Sequence, residues 1–165
     1  EIVGVAQGSD AEELVFVTSD AQLLHFSAGS VRPQGRSAAG MSGIRLSSDA
    51  VVINFTSVDP GSDAVVATIS THSNTIAGTD PGRAKLSKFD EFPAKGRGTG
   101  GVRCHAFLKG EDSLALAWAG TTPALAVGTD GSVRDLPDAG AKRDASGVPL
   151  TAVVGTVGTS AETAQ

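Results

Sequence analysis

The chain has 165 residues, enough for one domain with a buried core, and a formal charge of −5, which argues against a uniformly basic nucleic-acid binder. Aromatic residues make up 4% and there are 21 glycines, so small and β-branched side chains cut by many tight turns are expected, and long helices are not. No stretch reaches the roughly 18 consecutive apolar residues of a membrane span. The N-terminus lacks the order of a signal peptide, and the one cysteine, Cys104, cannot close an internal disulfide, so a soluble protein of a reducing cytoplasm is expected.

In chain order, residues 1–7 come first, and Ile2-Val-Gly-Val5 has the character of a strand completing a sheet begun upstream. Asp10 to Leu14 is too short for a stable helix and reads as a turn feeding a strand. Three segments then share one order of events. The first runs Leu14–Val17, a turn at Ser19–Ala21, Gln22–Phe26, a Gly-rich stretch Gln34–Gly40, and Val51–Phe55. The second runs Ala64–Ile69, a turn at Asp80–Gly82, Ala84–Phe89, Lys95–Gly101, and Leu114–Trp118. The third runs Ala124–Val127, a turn at Thr129–Gly131, Ser132–Leu136, Ala141–Gly147, and a last strand around Val153-Val154. Short apolar runs flanked by Asp-Gly, Pro-Gly or Ser-Asp announce buried strands and hairpins. The spacing of the repeats belongs to propeller-like arrays rather than helical solenoids. The expected architecture is all-β, with about three four-stranded antiparallel blades over 14–60, 64–120 and 123–157, part of a larger disc. A frayed tail is expected over 158–165.

In every repeat an Arg stands four residues before a Gly: Arg36 and Gly40, Arg97 and Gly101, Arg143 and Gly147. A Gly-rich loop lets backbone N–H groups approach a phosphate, and the neighbouring guanidinium offers a planar fork to the same anion. Charge is also local. Arg83, Lys85, Lys88, Lys95, Arg97, Arg103 and Lys109 lie within one stretch that holds only Asp90 and Glu91 as acids.

Other patterns have plainer readings. Gly96–Gly101 satisfies G-x-G-x-x-G, but the alternating Val102–Leu108 that follows is β-like and provides no helix for a dinucleotide phosphate. Cys104 beside His105, with His25 and His72 scattered, has no zinc spacing and is expected to pack in the core. Trp118 is expected in a core or between blades. The pairs Asp90-Glu91 and Glu111-Asp112 are expected in solvated turns, since neighbours on a strand point to opposite faces.

The stretch Phe92-Pro-Ala-Lys-Gly-Arg-Gly-Thr-Gly-Gly-Val-Arg-Cys-His-Ala-Phe-Leu-Lys-Gly-Glu-Asp112 is similar to the C-terminal β-pinwheel repeats of the A-type subunits of bacterial type II topoisomerases, DNA gyrase and topoisomerase IV. So are Gln22–Phe26 and Val31–Arg36, and the actinobacterial topoisomerase IV-like branch fits best. Gyrase carries a box Gln-Arg-Arg-Gly-Gly-Lys-Gly in one blade. Residues 34–40 keep Gln34, Arg36 and Gly40 but have Gly35 and Ala39 in place of the first Arg and the Lys, and the third copy places Asp144 beside Arg143. The resemblance implies a DNA-binding and bending domain whose basic rim guides duplex DNA, more weakly than gyrase wrapping. The DNA-contacting set would be Arg32, Arg36, Arg45, Arg83, Lys85, Lys88, Lys95, Arg97, Arg103, Lys109, Lys142 and Arg143.

The resemblance also implies no enzymatic step in this segment, because the family's cleavage uses a tyrosine and the chain contains none. ATP and Mg would belong to other domains or subunits of the parent. Its partners would be duplex DNA, the ATPase subunit, and the breakage-reunion domain carried by the same polypeptide, in the cytoplasm at the nucleoid and not at a membrane. The rival expectation is a β-propeller-like protein-interaction module without DNA binding.

Overall fold

The structure, a computed structural model, describes residues 1–160. Its elements in chain order are β1 (Glu13–Thr18), β2 (Gln22–Ser27), β3 (Val52–Val58), β4 (Ala64–Thr71), β5 (Arg83–Lys88), β6 (Val102–Arg103), β7 (Ser113–Thr121), β8 (Leu125–Val127), β9 (Val133–Arg134), β10 (Val148–Pro149) and β11 (Thr156–Gly158). Two single-turn 3-10 segments follow β2 and β5. No helix among the described residues is long and apolar enough to cross a membrane.

The strands form three antiparallel sheets, in the orders β3-β1-β2-β6, β10-β5-β4-β7 and β11-β8-β9. Each repeat contributes a hairpin and a returning strand. The first hairpin turns tightly because Thr18 caps it, its Oγ1 accepting from the Gln22 N–H at 3.0 Å while the Ala21 N–H donates to the Thr18 carbonyl. The third turns at Asp130-Gly131, where Gly131 takes the left-handed backbone and Asp130 accepts from the Ser132 N–H.

The fourth strands come from further along the chain. Between β5 and β7 the chain leaves the second sheet, lays β6 on the edge of β2 in the first sheet, and returns. Between β9 and β11 it does the same one sheet on, laying β10 on β5. The spans 14–60, 64–120 and 123–157 therefore each hold three strands of one sheet, and the two interior edges are completed by the next span.

Apolar packing lies between consecutive sheets. Val15, Val17 and Leu23 of the first sheet meet Val66, Leu114 and Ala117 of the second, with Phe89, Phe92 and Cys104 of the crossing segment. A smaller cluster joins Val65, Ala67 and Leu86 of the second sheet to Ala126 and Val157 of the third, and Trp118 packs against it. Cys104 and Trp118 thus take the packing places expected of them, and burial pushes the Cys104 thiol up to about 12.

Four expectations are corrected. Residues 1–7 form no strand and are exposed, although Gly4 lies against Phe55 of the edge strand β3. The third sheet has three strands rather than four. Its last strand lies at 156–158, not at Val153-Val154, because the Gly155 N–H donates to the Val127 carbonyl and sets the register one turn later. Gly158 of the expected frayed tail accordingly belongs to a strand, while residues 161–165 of that tail lie outside the described residues.

Candidate nucleic-acid interface

The segments that carry the three Arg–Gly pairs are bonded to one another in sequence. From the first to the second, the Gly98 N–H donates to the Gly43 carbonyl at 2.6 Å and the Arg45 N–H to the Thr99 carbonyl at 3.0 Å. From the second to the third, the Ala106 N–H donates to the Ala145 carbonyl at 3.0 Å. Arg45 and Ala106 each stand five residues after their own glycine, and Thr99 and Ala145 each stand two before the next. One joint is therefore made twice at equivalent positions, and the loops form a continuous belt across the sheets. Two guanidinium groups tighten it, Arg97 Nη1 donating to the Ser42 carbonyl at 2.9 Å and Arg143 Nη1 to the Arg103 carbonyl at 3.3 Å.

A histidine anchors the second loop at its root. His25 of β2 faces the Glu13 carboxylate at 2.8 Å through Nδ1 and the Phe92 carbonyl at 2.9 Å through Nε2, and the Lys95 N–H donates to the His25 carbonyl. From the sequence His25 reads only as a non-ligand, because its pairing depends on a contact 67 residues away.

Within an acidic chain the belt gathers stretches that are locally basic. Residues 31–46 carry Arg32, Arg36 and Arg45 with no acid, and residues 92–106 carry Lys95, Arg97 and Arg103 with no acid. Residues 137–147 offset Lys142 and Arg143 with Asp138 and Asp144. The side chains of Arg36, Arg45, Lys95 and Arg103 are exposed and make no hydrogen bond or ion pair among the described residues. Arg97 and Arg143 are half-buried, with one nitrogen each engaged as described. Lys142 bridges to Glu91 at 3.2 Å with its side chain still 78% exposed.

The remaining candidates lie apart from these joints. Arg32 is exposed at the start of the first loop, and Lys109 is exposed in the turn before β7. Lys88 lines a cleft with Glu13, Asp63 and Asp90, an acidic neighbourhood. Arg83 is committed to structure, its Nε donating to the Gly147 carbonyl at 2.9 Å beside Glu111 at 3.6 Å. Lys85 is a correction. It is 2% exposed, and its ammonium donates to the carbonyls of Lys142 and Arg143, so it holds the third loop from beneath and cannot meet a phosphate. Burial brings its pKa down to about 8.

The glycines also act differently from the phosphate cradle expected of them. A Cβ at Gly101 would stand 2.5 Å from the Leu23 carbonyl oxygen, and one at Gly147 would stand 2.8 Å from the Arg83 carbonyl. Gly101 and Gly147 are there so that the crossing strand can lie against a sheet edge.

The chain matches the family described as DNA gyrase C-terminal domain, beta-propeller, over residues 12–59 and 75–114, more than half its length. It is 32% identical over 107 residues, 63% of the chain, to topoisomerase subunit TopoM of Mycolicibacterium smegmatis. Against the A-type subunit of DNA gyrase from the same actinobacterium it is 30% identical over 119 residues, 71% of the chain. It spans only 13% of the length of either relative. Its fold is that of the solved C-terminal domain of DNA topoisomerase IV, with a TM-score of 0.70 at 18% identity, over 90% of this chain and 46% of that one. Stacked antiparallel sheets, exchanged edge strands and the matched residues lead to one assignment: the chain belongs to the family of DNA gyrase C-terminal β-propeller domains.

Proposed function

We propose that the chain is the DNA-binding module of an A-type subunit of a bacterial type II topoisomerase, holding the backbone of duplex DNA along the loop belt and bending it without reading its sequence. The observation that supports this reading is the pair of equivalent loop-to-loop joints, which bond the cation-bearing loops of three successive repeats to one another. A bent duplex needs a row of cations, because its phosphates follow a curve and each guanidinium must find one without rearranging. The grip is concentrated on the first two loops, where no acid competes, and fades at Asp138 and Asp144 of the third. With the box at 34–40 incomplete, the segment guides DNA and does not by itself wrap it tightly.

Strand cleavage belongs elsewhere in a longer protein, since these residues offer no tyrosine. In that protein the breakage-reunion domain and an ATPase subunit, with ATP and Mg, would perform strand passage in the cytoplasm at the nucleoid.

The test is fluorescence anisotropy with unrelated duplexes across a salt series. If about six phosphates are neutralised, log K falls against log salt with a slope of about −5. Arg45→Glu with Arg103→Glu, two side chains without partners among the described residues, weakens binding to every duplex by a similar factor, and Arg143→Glu weakens it less. Binding that ignores salt, or survives the double reversal, would return the belt to the protein-interaction reading.

A further inference from the structure

The two loop joints of the belt correspond residue for residue, and one bond differs. Placed by their glycines, Arg97 corresponds to Arg143 and Gly98 to Asp144, while in the preceding loops Ser42 corresponds to Arg103 and Gly43 to Cys104. The guanidinium bond is made both times, from Arg97 to the Ser42 carbonyl and from Arg143 to the Arg103 carbonyl. The bond at the root of each loop is also made twice, from the Lys95 N–H to the His25 carbonyl and from the Ala141 N–H to the Leu86 carbonyl. The bond from the Gly98 N–H to the Gly43 carbonyl has no counterpart: among the described residues the Asp144 N–H makes none to the Cys104 carbonyl.

What replaces it comes from inside the second sheet. Leu23 and Ala84 receive the crossing strands β6 and β10, so the residues that follow them, Leu24 and Lys85, hold one position in two sheets. Both are buried. Leu24 offers no donor. Lys85 Nζ donates to the Lys142 carbonyl at 3.1 Å and to the Arg143 carbonyl, and Ser87 Oγ donates to the Lys142 carbonyl at 3.4 Å. Lys85 forms no ion pair among the described residues, so its burial is offset by carbonyl dipoles and not by a charge in contact. A leucine fills the same place in the first sheet without that desolvation. The ammonium is therefore more than filling, and the carbonyls it takes belong to the two cations of the third loop.

We infer that Lys85 is a positioning residue of the interface, holding by their carbonyls the residues that present Lys142 and Arg143 at the rim. The inference rests on the DNA reading above, and it assigns the ordering of the third loop to a group that touches no phosphate. A loop fixed before the duplex arrives loses less conformational freedom on binding. The holding also has a pH signature. An opened loop returns the amine to water, where it keeps its proton up to about 10.5, whereas burial in the closed loop brings that value down to about 8. Between the two values the open loop binds more protons than the closed one, so closure strengthens as pH rises through that window. The charged groups that face Lys85 are Cys104 and His105 of the crossing segment, Arg143 and Asp144 of the third loop, Glu91 after β5, and Arg83 on its own strand. Cys104 is held near 12 and His105 near 4, and carboxylates and guanidinium groups do not titrate in that window.

Limited trypsin digestion of the whole chain without DNA reads the loop directly, as the cut after Arg143 relative to the cut after Arg36, which is exposed in the first loop. Lys85→Leu gives the second sheet the residue that the first already has. In that variant the ratio rises by about tenfold or more while Trp118 fluorescence stays native. In the unaltered chain the ratio falls several-fold from about pH 8 to about pH 9.5, a measurement that stands whether or not the variant folds. On duplex DNA, Arg143→Glu weakens binding less in the Lys85→Leu chain than in the unaltered one, because the loop is already loose. A folded Lys85→Leu chain with an unchanged ratio, or a ratio in the unaltered chain that stays flat or climbs with pH, overturns the holding role. A freed loop with strictly additive losses on DNA overturns the positioning role. If the unaltered chain binds no duplex, the DNA reading is what fails, and the trypsin ratio alone decides whether Lys85 holds the loop.

Discussion

The joint between the first and second sheets and the joint between the second and third are built on one plan and differ in strength. The first is made by sheets whose three main strands run six to nine residues, and is sealed by Phe89, Phe92 and Cys104 from the crossing segment. The second rests on a sheet whose strands are two to three residues long, with Ala126 and Val157 as its fully buried apolar side chains. A repeat array is stable as a sum of unit and neighbour terms, so this chain has a firm end and a soft end, and the belt runs over both.

The largest effect separates the two joints at their glycines. Gly101→Val drives a side chain into the Leu23 backbone, lifts β6 off the first sheet and takes Phe92 and Cys104 with it. We expect loss of the cooperative unfolding transition seen by circular dichroism. Gly147→Val makes the equivalent clash with Arg83, but what it releases is the third loop. There the expected outcome is rapid hydrogen exchange confined to 137–158, with the first joint intact. Equal damage from both would show that the array melts as one unit.

A second, smaller contrast lies in the cores. Leu23→Ala opens a cavity in the first cluster and should cost about 3 kcal/mol in denaturant unfolding. Val157→Ala removes two methyl groups from the second cluster and should cost about 1.5 kcal/mol, with Trp118 fluorescence moving before the far-ultraviolet signal. Coincident transitions in the valine variant would erase the distinction between a firm and a soft end.

How much of this was legible from residues varies with how local each feature is. The hairpins were, because Leu14–Val17 and Ala64–Ile69 are apolar runs with turn residues at their ends. The partners of β6 and β10 were not: Val102-Arg103 reads as β-like, yet nothing local says that it belongs to the preceding sheet. Lys85 misled for a physical reason. Arg83, Lys85 and Ser87 alternate with Ala84 and Leu86 as they would on a solvated strand, but this sheet is covered on both sides, so its polar face is buried against the third loop and the crossing segment. The Arg–Gly spacing located the belt and missed why the glycines are there, because a close approach to a sheet edge is invisible until the edge is placed.

The smallest effect, a pH dependence, tests whether the polar face of the second sheet belongs to the firm joint. His105 of the crossing segment is buried, its Nδ1 2.9 Å from Thr68 Oγ1 and its Nε2 without a partner among the described residues. Burial first, then the charges of Lys85 and Arg83, bring its pKa down from 6.5 to about 4. The folded chain therefore holds fewer protons than the unfolded chain between those values, so the contribution is whole above pH 6.5 and is lost as pH falls toward 4. Between pH 6.5 and 5.5 this amounts to at most about 1 kcal/mol after allowance for screening. His105→Gln, which can still bond Thr68 but cannot titrate, should flatten that limb while leaving Trp118 fluorescence unchanged. An acid limb of the same size in the glutamine variant would move the titration to another group and detach this face from the joint it lies beside in the fold.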